Sequence, residues 1–330
     1  MQEYFSRQSI FIEFEHIIYK KTGDSMHQAR KIIHADTSYA EAFTGKSIGI
    51  AVLDTGIYPH EDFIIPSNRI AAFKDFIHHY PDCYDDNGHG THVCGIIAGN
   101  GHQSRGLYRG MAPESHLIVG KILDSAGNGS ISHILEAIRW VIKCRQAYNI
   151  RILNISVGSE NTEIDEEKSI LVQSVNAAWD NGITVVVAAG NNGPKRMSVT
   201  SPGISRKVIT VGSSDDYKAI FLGGARIHNY SGRGPTRRMI LKPDIVAPGS
   251  DIISCSPAGY TSRSGTSMAT PIVSGAAAML LSKYPDKSNE EIKRLLQSTA
   301  TDLHLPRTQQ GYGLLNVEKL LGKGGHGTGS

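Results

Sequence analysis

Five apolar segments, each four to seven residues long, constrain the fold of this 330-residue chain more than any other feature. Continuous apolar runs of this length are typical of strands buried on both faces of a parallel sheet. Helical patterns lie between them, notably over residues 131–146 and 170–180, and this alternation predicts βαβ units. We therefore expect an α/β fold, in which a single doubly wound domain has a mainly parallel central sheet and helices on both faces. The five segments are residues 47–53, 117–123, 151–157, 183–189 and 208–211.

The domain is expected to cover residues 28–321. Residues 1–27 mix apolar alternation with basic side chains, and we predict an N-terminal arm or a short pro-segment there. Residues 322–330 are rich in glycine and are predicted to form a disordered tail. A helix is expected around residues 29–43, and a capping-box pattern at Ser288 and Glu291 predicts the start of another.

Composition excludes several classes of protein. Thirty-four basic and 31 acidic residues give a net charge of +3, which predicts neither a nucleic-acid partner nor a membrane surface. The four cysteines show no CxxC spacing and are expected to be free thiols of a reducing compartment. No signal-peptide pattern or membrane-length apolar run is present, so we expect a cytoplasmic protein, or a secreted one if a leader has been removed.

A small, hydroxyl-rich segment at residues 264–271 continues into an apolar segment at residues 272–281. The first predicts a tight loop and the second a buried helix, so Ser267 is expected where the loop becomes the helix. Helix N-termini present unpaired N–H groups and the positive end of the dipole, which suit an oxygen that becomes negative during a reaction. A helix N-cap is the ordinary alternative for such a serine, and only partners elsewhere can decide between the two.

Three further residues supply such partners. His89 lies between two glycines at the start of a small apolar helix pattern, and we expect these glycines to leave the ring open to close approach. Asp54 follows the first apolar segment, at the strand end where open α/β sheets bind ligands, although an Asx-turn is the common use of such an aspartate. Asn191 follows residues 183–189, where its amide is expected to face a developing oxyanion. A carboxylate, a base and a hydroxyl together predict nucleophilic catalysis.

These segments resemble the subtilisin-like serine protease family, including its signal-less, intracellular-type bacterial members. The resemblance covers about residues 30–320 and rests on the Asp-Thr-Gly, His-Gly-Thr-His, Ala-Ala-Gly-Asn and Gly-Thr-Ser-Met-Ala motifs that contain Asp54, His89, Asn191 and Ser267. It implies a serine endopeptidase that acts through an acyl-enzyme. By the resemblance, Asp54 orients the base His89, Ser267 is the nucleophile, and Asn191 completes the oxyanion hole.

The resemblance also implies that polypeptide substrates bind as an added extended strand. Thr200 is expected near the base of the main specificity pocket, where many relatives have glycine, and would make this pocket shallower. The residues implied to bind substrate are Ser156, Val157 and Gly158 on one edge, Gly127, Asn128 and Gly129 on the opposite edge, and Ala188, Ala189, Gly190 and Thr200 around the pocket.

Catalysis of this kind requires no cofactor. A calcium ion would therefore have a structural role only. Residues 99–106 correspond to a loop that often binds calcium in relatives but contain no carboxylate, which leaves Asp62 as the one candidate ligand for a structural calcium ion. Asp85 and Asp86 precede His89 and are expected to be solvated loop residues or to attract basic substrate residues. Cys94 is expected to pack in the core.

Three alternative functions compete with this one. Asp-Thr-Gly is also the aspartic-protease signature, but that chemistry needs two such carboxylates and the motif occurs once here. An α/β-hydrolase needs a Gly-x-Ser-x-Gly motif and a different order of catalytic residues. A catalytically silent protein with the same fold that binds peptides or a regulatory partner is the third alternative.

Overall fold

The computed structural model describes residues 9–11, 26–159, 168–222 and 225–322. The strands are β1 (Ser9–Phe11), β2 (Gly49–Asp54), β3 (Ile70–Asp75), β4 (His116–Lys121), β5 (Asn128–Ser130), β6 (Ile150–Ile155), β7 (Thr184–Ala188), β8 (Ile209–Ser213), β9 (Ile220–Leu222), β10 (Ala225–Ile227), β11 (Ile245–Ala247), β12 (Ile252–Ser256) and β13 (Gly259–Arg263). The helices are α1 (Met26–Ile32), α2 (Ser38–Glu41), α3 (Glu61–Ile64), α4 (His89–Ala98), α5 (Ile131–Cys144), α6 (Ile170–Asp180), α7 (Thr266–Lys283), α8 (Asn289–Thr299), α9 (Arg307–Gln310) and α10 (Val317–Leu320).

Seven strands form a central parallel sheet in the order β11-β8-β7-β6-β2-β4-β3. All six residues of β2 are buried between β4 and β6, as a continuous apolar run requires. The chain leaves β2 toward one edge of the sheet and leaves β6 toward the other. Ligands bind outside the carboxyl ends of strands at such a switch point. The predicted single α/β domain with a parallel sheet is confirmed.

Helices cover both faces of the sheet. Helices α4 and α7 pack against each other and against its strands, while α5 and α6 form a second packed pair. Every residue of α7 from Thr266 to Leu281 is buried, which is the expected property of a helix in the middle of a large core. In its interior, Ser274 Oγ donates a 2.8 Å hydrogen bond to Asn154 Oδ1 of β6 and fixes the helix against the sheet.

The expected helix over residues 29–43 is wrong in its extent. The structure contains two short helices instead, α1 and α2, because His34 adopts a positive φ of 54° and Thr37 caps a new helix. The capping box at Ser288 and Glu291 is present at the start of α8. Strand β3 and the hairpin of β12 and β13 were not predicted, because β3 and β13 are largely half-buried and the buried β12 contains serines that interrupt an apolar run.

The two ends of the chain are described only in part. Within the predicted arm, β1 pairs antiparallel with β5, so that Ile10 lies opposite Gly129. Most of the glycine-rich tail predicted for residues 322–330 lies outside the described residues. None of the helices in the described part of the chain combines the length and the apolar character that crossing a bilayer demands.

Candidate active site

Asp54 and His89 meet at the carboxyl edge of the sheet. Asp54 is the last residue of β2 and is fully buried, and His89 is the first residue of α4. The His89 Nδ1 and Asp54 Oδ1 atoms lie 2.7 Å apart, and the backbone N–H of Thr55 donates to the same oxygen at 2.8 Å. A carboxylate on Nδ1 fixes the tautomer of the ring, so that Nε2 is the atom able to accept a proton.

The structure explains the glycine after His89, Gly90, differently from the sequence-based expectation. A Cβ atom on Gly90 would lie 2.2 Å from the carbonyl oxygen of Gly56, in the turn that follows β2. Only glycine allows the first turn of α4 to approach that turn so closely. Gly90 therefore brings the base-bearing helix against the Asp54 strand rather than uncovering the imidazole ring.

Asp85 joins the segment after Asp54 to the start of α4. Its Oδ1 accepts hydrogen bonds from Thr55 Oγ1 and Gly88 N at 2.8 Å and from Asn87 N at 3.1 Å. Its Oδ2 accepts from Thr91 N at 2.8 Å and from Thr91 Oγ1 at 2.6 Å. Burial raises the pKa of Asp85, but these hydrogen bonds outweigh burial and hold its pKa below the usual value. We call this arrangement the Asp85 bridge.

The expectation for Asp85 is therefore wrong, because a carboxylate occupied by five donors is neither solvated nor open to a substrate cation. Asp86 is also engaged, since its Oδ1 lies 2.5 Å from Lys121 Nζ. Lys121 is fully buried and also donates to the carbonyl oxygens of Thr55 and Leu123. Sequence reasoning assigned Lys121 no role, although a charged residue inside an apolar strand segment was a usable signal.

Ser267 is the second residue of α7, as predicted. It follows Gly265, whose φ of 140° lies in a region that favours glycine. The Ser267 hydroxyl is largely buried and donates a 2.8 Å hydrogen bond to the carbonyl oxygen of Ser156. In this conformation the hydroxyl therefore donates its hydrogen bond to the residue that follows β6, and not to His89.

Asn191 lies beside the start of α7. Its Oδ1 accepts hydrogen bonds from both the backbone N–H and the hydroxyl of Thr266, each at 3.0 Å. With the amide oxygen held in this way, the Nδ2 group is the part of Asn191 left to donate to a ligand. Thr266 was not singled out from the sequence, although it directly precedes Ser267.

The predicted pocket residues come together around Thr200. A Cβ atom on Gly158 or on Gly190 would lie 2.5 Å from Thr200 Oγ1, so the threonine fills the space between these two glycines. The Thr200 N–H donates to the carbonyl of Ala189 at 3.0 Å. Its own hydroxyl is buried and has no hydrogen-bond partner among the described residues.

The opposite edge, at Gly127, Asn128 and Gly129, is less buried. Gly127 has a φ of 77°, and the N–H groups of Asn128 and Ala126 donate to Asp124 Oδ1. This turn presents β5 as an edge strand, and β1 lies along it.

Asp62, the candidate calcium ligand, is fully buried and surrounded by donors. Its carboxylate accepts hydrogen bonds from the N–H groups of Gly101 and Gln103 and from the Tyr260 hydroxyl. One nitrogen of His60 and the thiol of Cys255 complete a buried group whose ligand atoms all lie within 4.8 Å of one another. These protein donors already form hydrogen bonds to the carboxylate oxygens that would otherwise bind a cation.

Cys94 is fully buried in α4, in agreement with a packing role. Burial, aided by the charges of Asp54 and Asp85, raises the pKa of its thiol well above the ordinary value. Cys94 is therefore a poor nucleophile despite its position one helical turn and a half after His89.

Comparisons with known proteins identify the family and the fold. A family model described as "Subtilase family" matches residues 45–314. The chain is 42% identical over 277 residues to "Serine protease AprX" of Bacillus subtilis (strain 168), a match that covers 78% of the chain and 62% of AprX. It is 36% identical over 287 residues to "Subtilisin Savinase" of Lederbergia lenta, covering 87% of the chain and 95% of the relative. Among solved structures, "Sphericase" matches with a TM-score of 0.73 and 30% identity, covering 88% of the chain and 97% of Sphericase.

Proposed function

The chain belongs to the subtilase family of serine endopeptidases, and from that premise we propose that it hydrolyses peptide bonds in polypeptide substrates through an acyl-enzyme. The observation that carries the proposal is the 2.7 Å contact between His89 Nδ1 and Asp54 Oδ1, at the same sheet edge as Ser267. Catalysis by such a triad needs no metal ion or cofactor.

In this proposal His89 is the general base and then the general acid. Rotation about χ1 of Ser267 exchanges its hydrogen bond to the Ser156 carbonyl for one to His89 Nε2. His89 then takes the hydroxyl proton as Ser267 Oγ attacks the scissile carbonyl, and Asp54 stabilises the imidazolium that forms. His89 next gives the proton to the leaving amine, and a water molecule hydrolyses the acyl-enzyme by the same steps.

Asn191 and the start of α7 are proposed to stabilise the tetrahedral intermediate. The hydrogen bonds from Thr266 to Asn191 Oδ1 leave Nδ2 as a donor whose orientation is set before the reaction. The Ser267 N–H at the N-terminus of α7 is proposed as the second donor. Donors fixed in this way gain strength where charge develops, because they do not have to reorient.

The substrate is proposed to bind as an extended strand between Ser156, Val157, Gly158 and the segment of Gly127, Asn128 and Gly129. Gly158 and Gly190 support this proposal, because the absence of a Cβ atom at each lets Thr200 approach both backbone segments at the pocket. The Thr200 side chain would limit the depth of the pocket between Gly158, Ala189 and Gly190. We therefore propose small residues before the cut as preferred substrates.

The arm at residues 1–27 is proposed to restrain this activity. Support comes from β1, which pairs antiparallel with the same β5 edge that is proposed to receive substrate. A strand on that edge competes with substrate for main-chain hydrogen bonds. Deletion of residues 1–25, which ends before α1 and its buried Met26, is expected to raise kcat/KM for short peptides, and an unchanged value would contradict the proposal.

Two further properties are proposed. One is a cytoplasmic location, and the other is a structural calcium ion at Asp62. The buried thiols of Cys94 and Cys255 suit a reducing compartment. Calcium at Asp62 would have to compete with the donors of Gly101, Gln103 and Tyr260.

The proposal is tested by mass spectrometry of the intact protein after treatment with a fluorophosphonate, together with cleavage of an unstructured protein. One covalent adduct and cleavage are expected, both lost in Ser267→Ala and both kept in the matched control Ser262→Ala on β13.

A second candidate function is that of a catalytically silent peptide-binding protein, and the observation that favours it is the orientation of the Ser267 hydroxyl toward Ser156. That alternative predicts neither adduct nor cleavage, with peptide binding retained.

A further inference from the structure

Arg263 connects the two segments that lead to the proposed nucleophile and base. It is the last residue of β13, four positions before Ser267. Its Nη2 donates a 3.3 Å hydrogen bond to the carbonyl of Asn87, two positions before His89. A Cβ atom on Gly88 would lie 3.5 Å from the same nitrogen, so the guanidinium rests against the backbone that precedes the base.

The charge of Arg263 is not neutralised by a carboxylate in the described part of the chain. The two carboxylates nearest in sequence to its contact have other partners, since Asp85 forms the Asp85 bridge and Asp86 is paired with Lys121. The hydrogen bond to Asn87 holds the half-buried guanidinium, whose buried Nε has no hydrogen-bond partner among the described residues. Burial lowers the pKa of the adjacent His92, and the Arg263 charge lowers it further.

The position of Arg263 places it on the leaving-group side of the cleft. Residues before the cut are proposed to lie along Ser156 and Gly158, on the side of Thr200 and Asn191. The amine formed at the cut takes its proton from His89, so the residues after the cut must pass His89. Arg263 borders His89 through Asn87 and Gly88, whereas Asn191 contacts Thr266 at the start of α7.

We propose that Arg263 binds an acidic side chain at the first or second residue after the cut, so that the substrate class comprises polypeptides with aspartate or glutamate at that place. The inference rests on the proposed function. A half-exposed pair of this kind is expected to favour the acidic substrate about three- to tenfold in kcat/KM at low ionic strength. The preference should decrease as salt screens the charges.

The test uses internally quenched peptides that share one sequence before the cut and carry Glu, Gln or Lys at the first or second position after it. For the full chain, kcat/KM is expected to follow the order Glu above Gln above Lys, with the ratios reduced in about 0.5 M salt. In Arg263→Gln the Glu-to-Gln ratio is expected to fall to about one while cleavage of the Gln peptide is kept. Arg263→Lys should restore part of the ratio, and Arg294→Gln, which removes an exposed arginine on α8, should leave it unchanged.

A Glu-to-Gln ratio near one for the unaltered chain, or a ratio that Arg263→Gln leaves intact, would overturn the proposal. If Arg263→Gln does not fold, the salt dependence of the ratio in the unaltered chain decides, because an uncharged origin of the preference would not respond to salt. Cleavage of all peptides without charge preference refutes only the role of Arg263. Absence of both cleavage and the fluorophosphonate adduct refutes the proposed function itself.

Discussion

Replacement of Asp85 by asparagine tests the Asp85 bridge. In Asp85→Asn the amide oxygen can still accept from Thr55, Asn87 and Gly88, but the new NH2 group faces the N–H of Thr91. One buried N–H then lacks an acceptor, which costs about 1–3 kcal/mol. Loss of charge from the three remaining bonds costs about 1 kcal/mol each, and an amide is easier to bury than a carboxylate. These costs total about 4–6 kcal/mol, the easier burial of the amide offsets roughly 1–3 kcal/mol of them, and the net loss in the free energy of unfolding is about 3 kcal/mol.

The loss is measured by guanidinium unfolding with Ser267→Ala in the background, so that self-cleavage does not interfere. The matched control is Asp180→Asn, whose carboxylate is 58% exposed and pairs with Lys207. This control is expected to cost about 0.5 kcal/mol or less. In the active protein, Asp85→Asn should also lower kcat about tenfold, because the bridge sets the distance between the Asp54 strand and α4. Equal effects of the two replacements on stability would show that the bridge contributes nothing, and the reasoning would be refuted.

Three other predictions follow from the same structure. Asp54→Asn should lower kcat by about 10⁴ with little change in stability, because the amide favours the wrong tautomer of His89; an equal loss of kcat and stability would contradict a role in catalysis. Thr200→Gly should raise kcat/KM for peptides with a large aromatic residue before the cut about tenfold relative to alanine, measured on matched peptides. Burial raises the pKa of Asp244, but the charges of Lys242 and Lys293 and the hydrogen bonds from Lys242 and Thr210 together outweigh burial, and the pKa is lowered overall. The stabilisation by this group is therefore complete above the unfolded pKa and is lost as pH falls through the lower folded pKa, so acid unfolding of Asp244→Asn should show a weaker pH dependence.

The five central strands of the parallel sheet were predictable because they lie in apolar segments whose spacing leaves room for helices. Ser267 and Asp54 could be placed because each adjoins an apolar segment whose type was clear. Asp85 could not be interpreted in this way, because its role depends on Thr55 and Thr91, which approach it only after the sheet and α4 have packed.

Sequence patterns likewise fail to predict the role of a residue when that role depends on a contact with a distant segment. Arg263 belongs to β13, a half-buried strand without an apolar run, and its contact with Asn87 joins residues 176 positions apart. The pairing of β1 with β5 likewise depends on register rather than composition. Local patterns predict elements, whereas the neighbours of a charged side chain are set by the packing of those elements.

The burial of α7 has a consequence for how the protein loses activity. The buried part of α7, from Thr266 to Leu281, is enclosed by the sheet and by α4 and cannot open by fraying from its N-terminal end, so its amide hydrogens should exchange only when the whole domain unfolds. Because Ser267 lies at the start of this helix, the reactive hydroxyl shares the stability of the most protected part of the molecule. Heat or denaturant should therefore abolish reactivity and global structure together, without a populated state that is folded but has a displaced nucleophile.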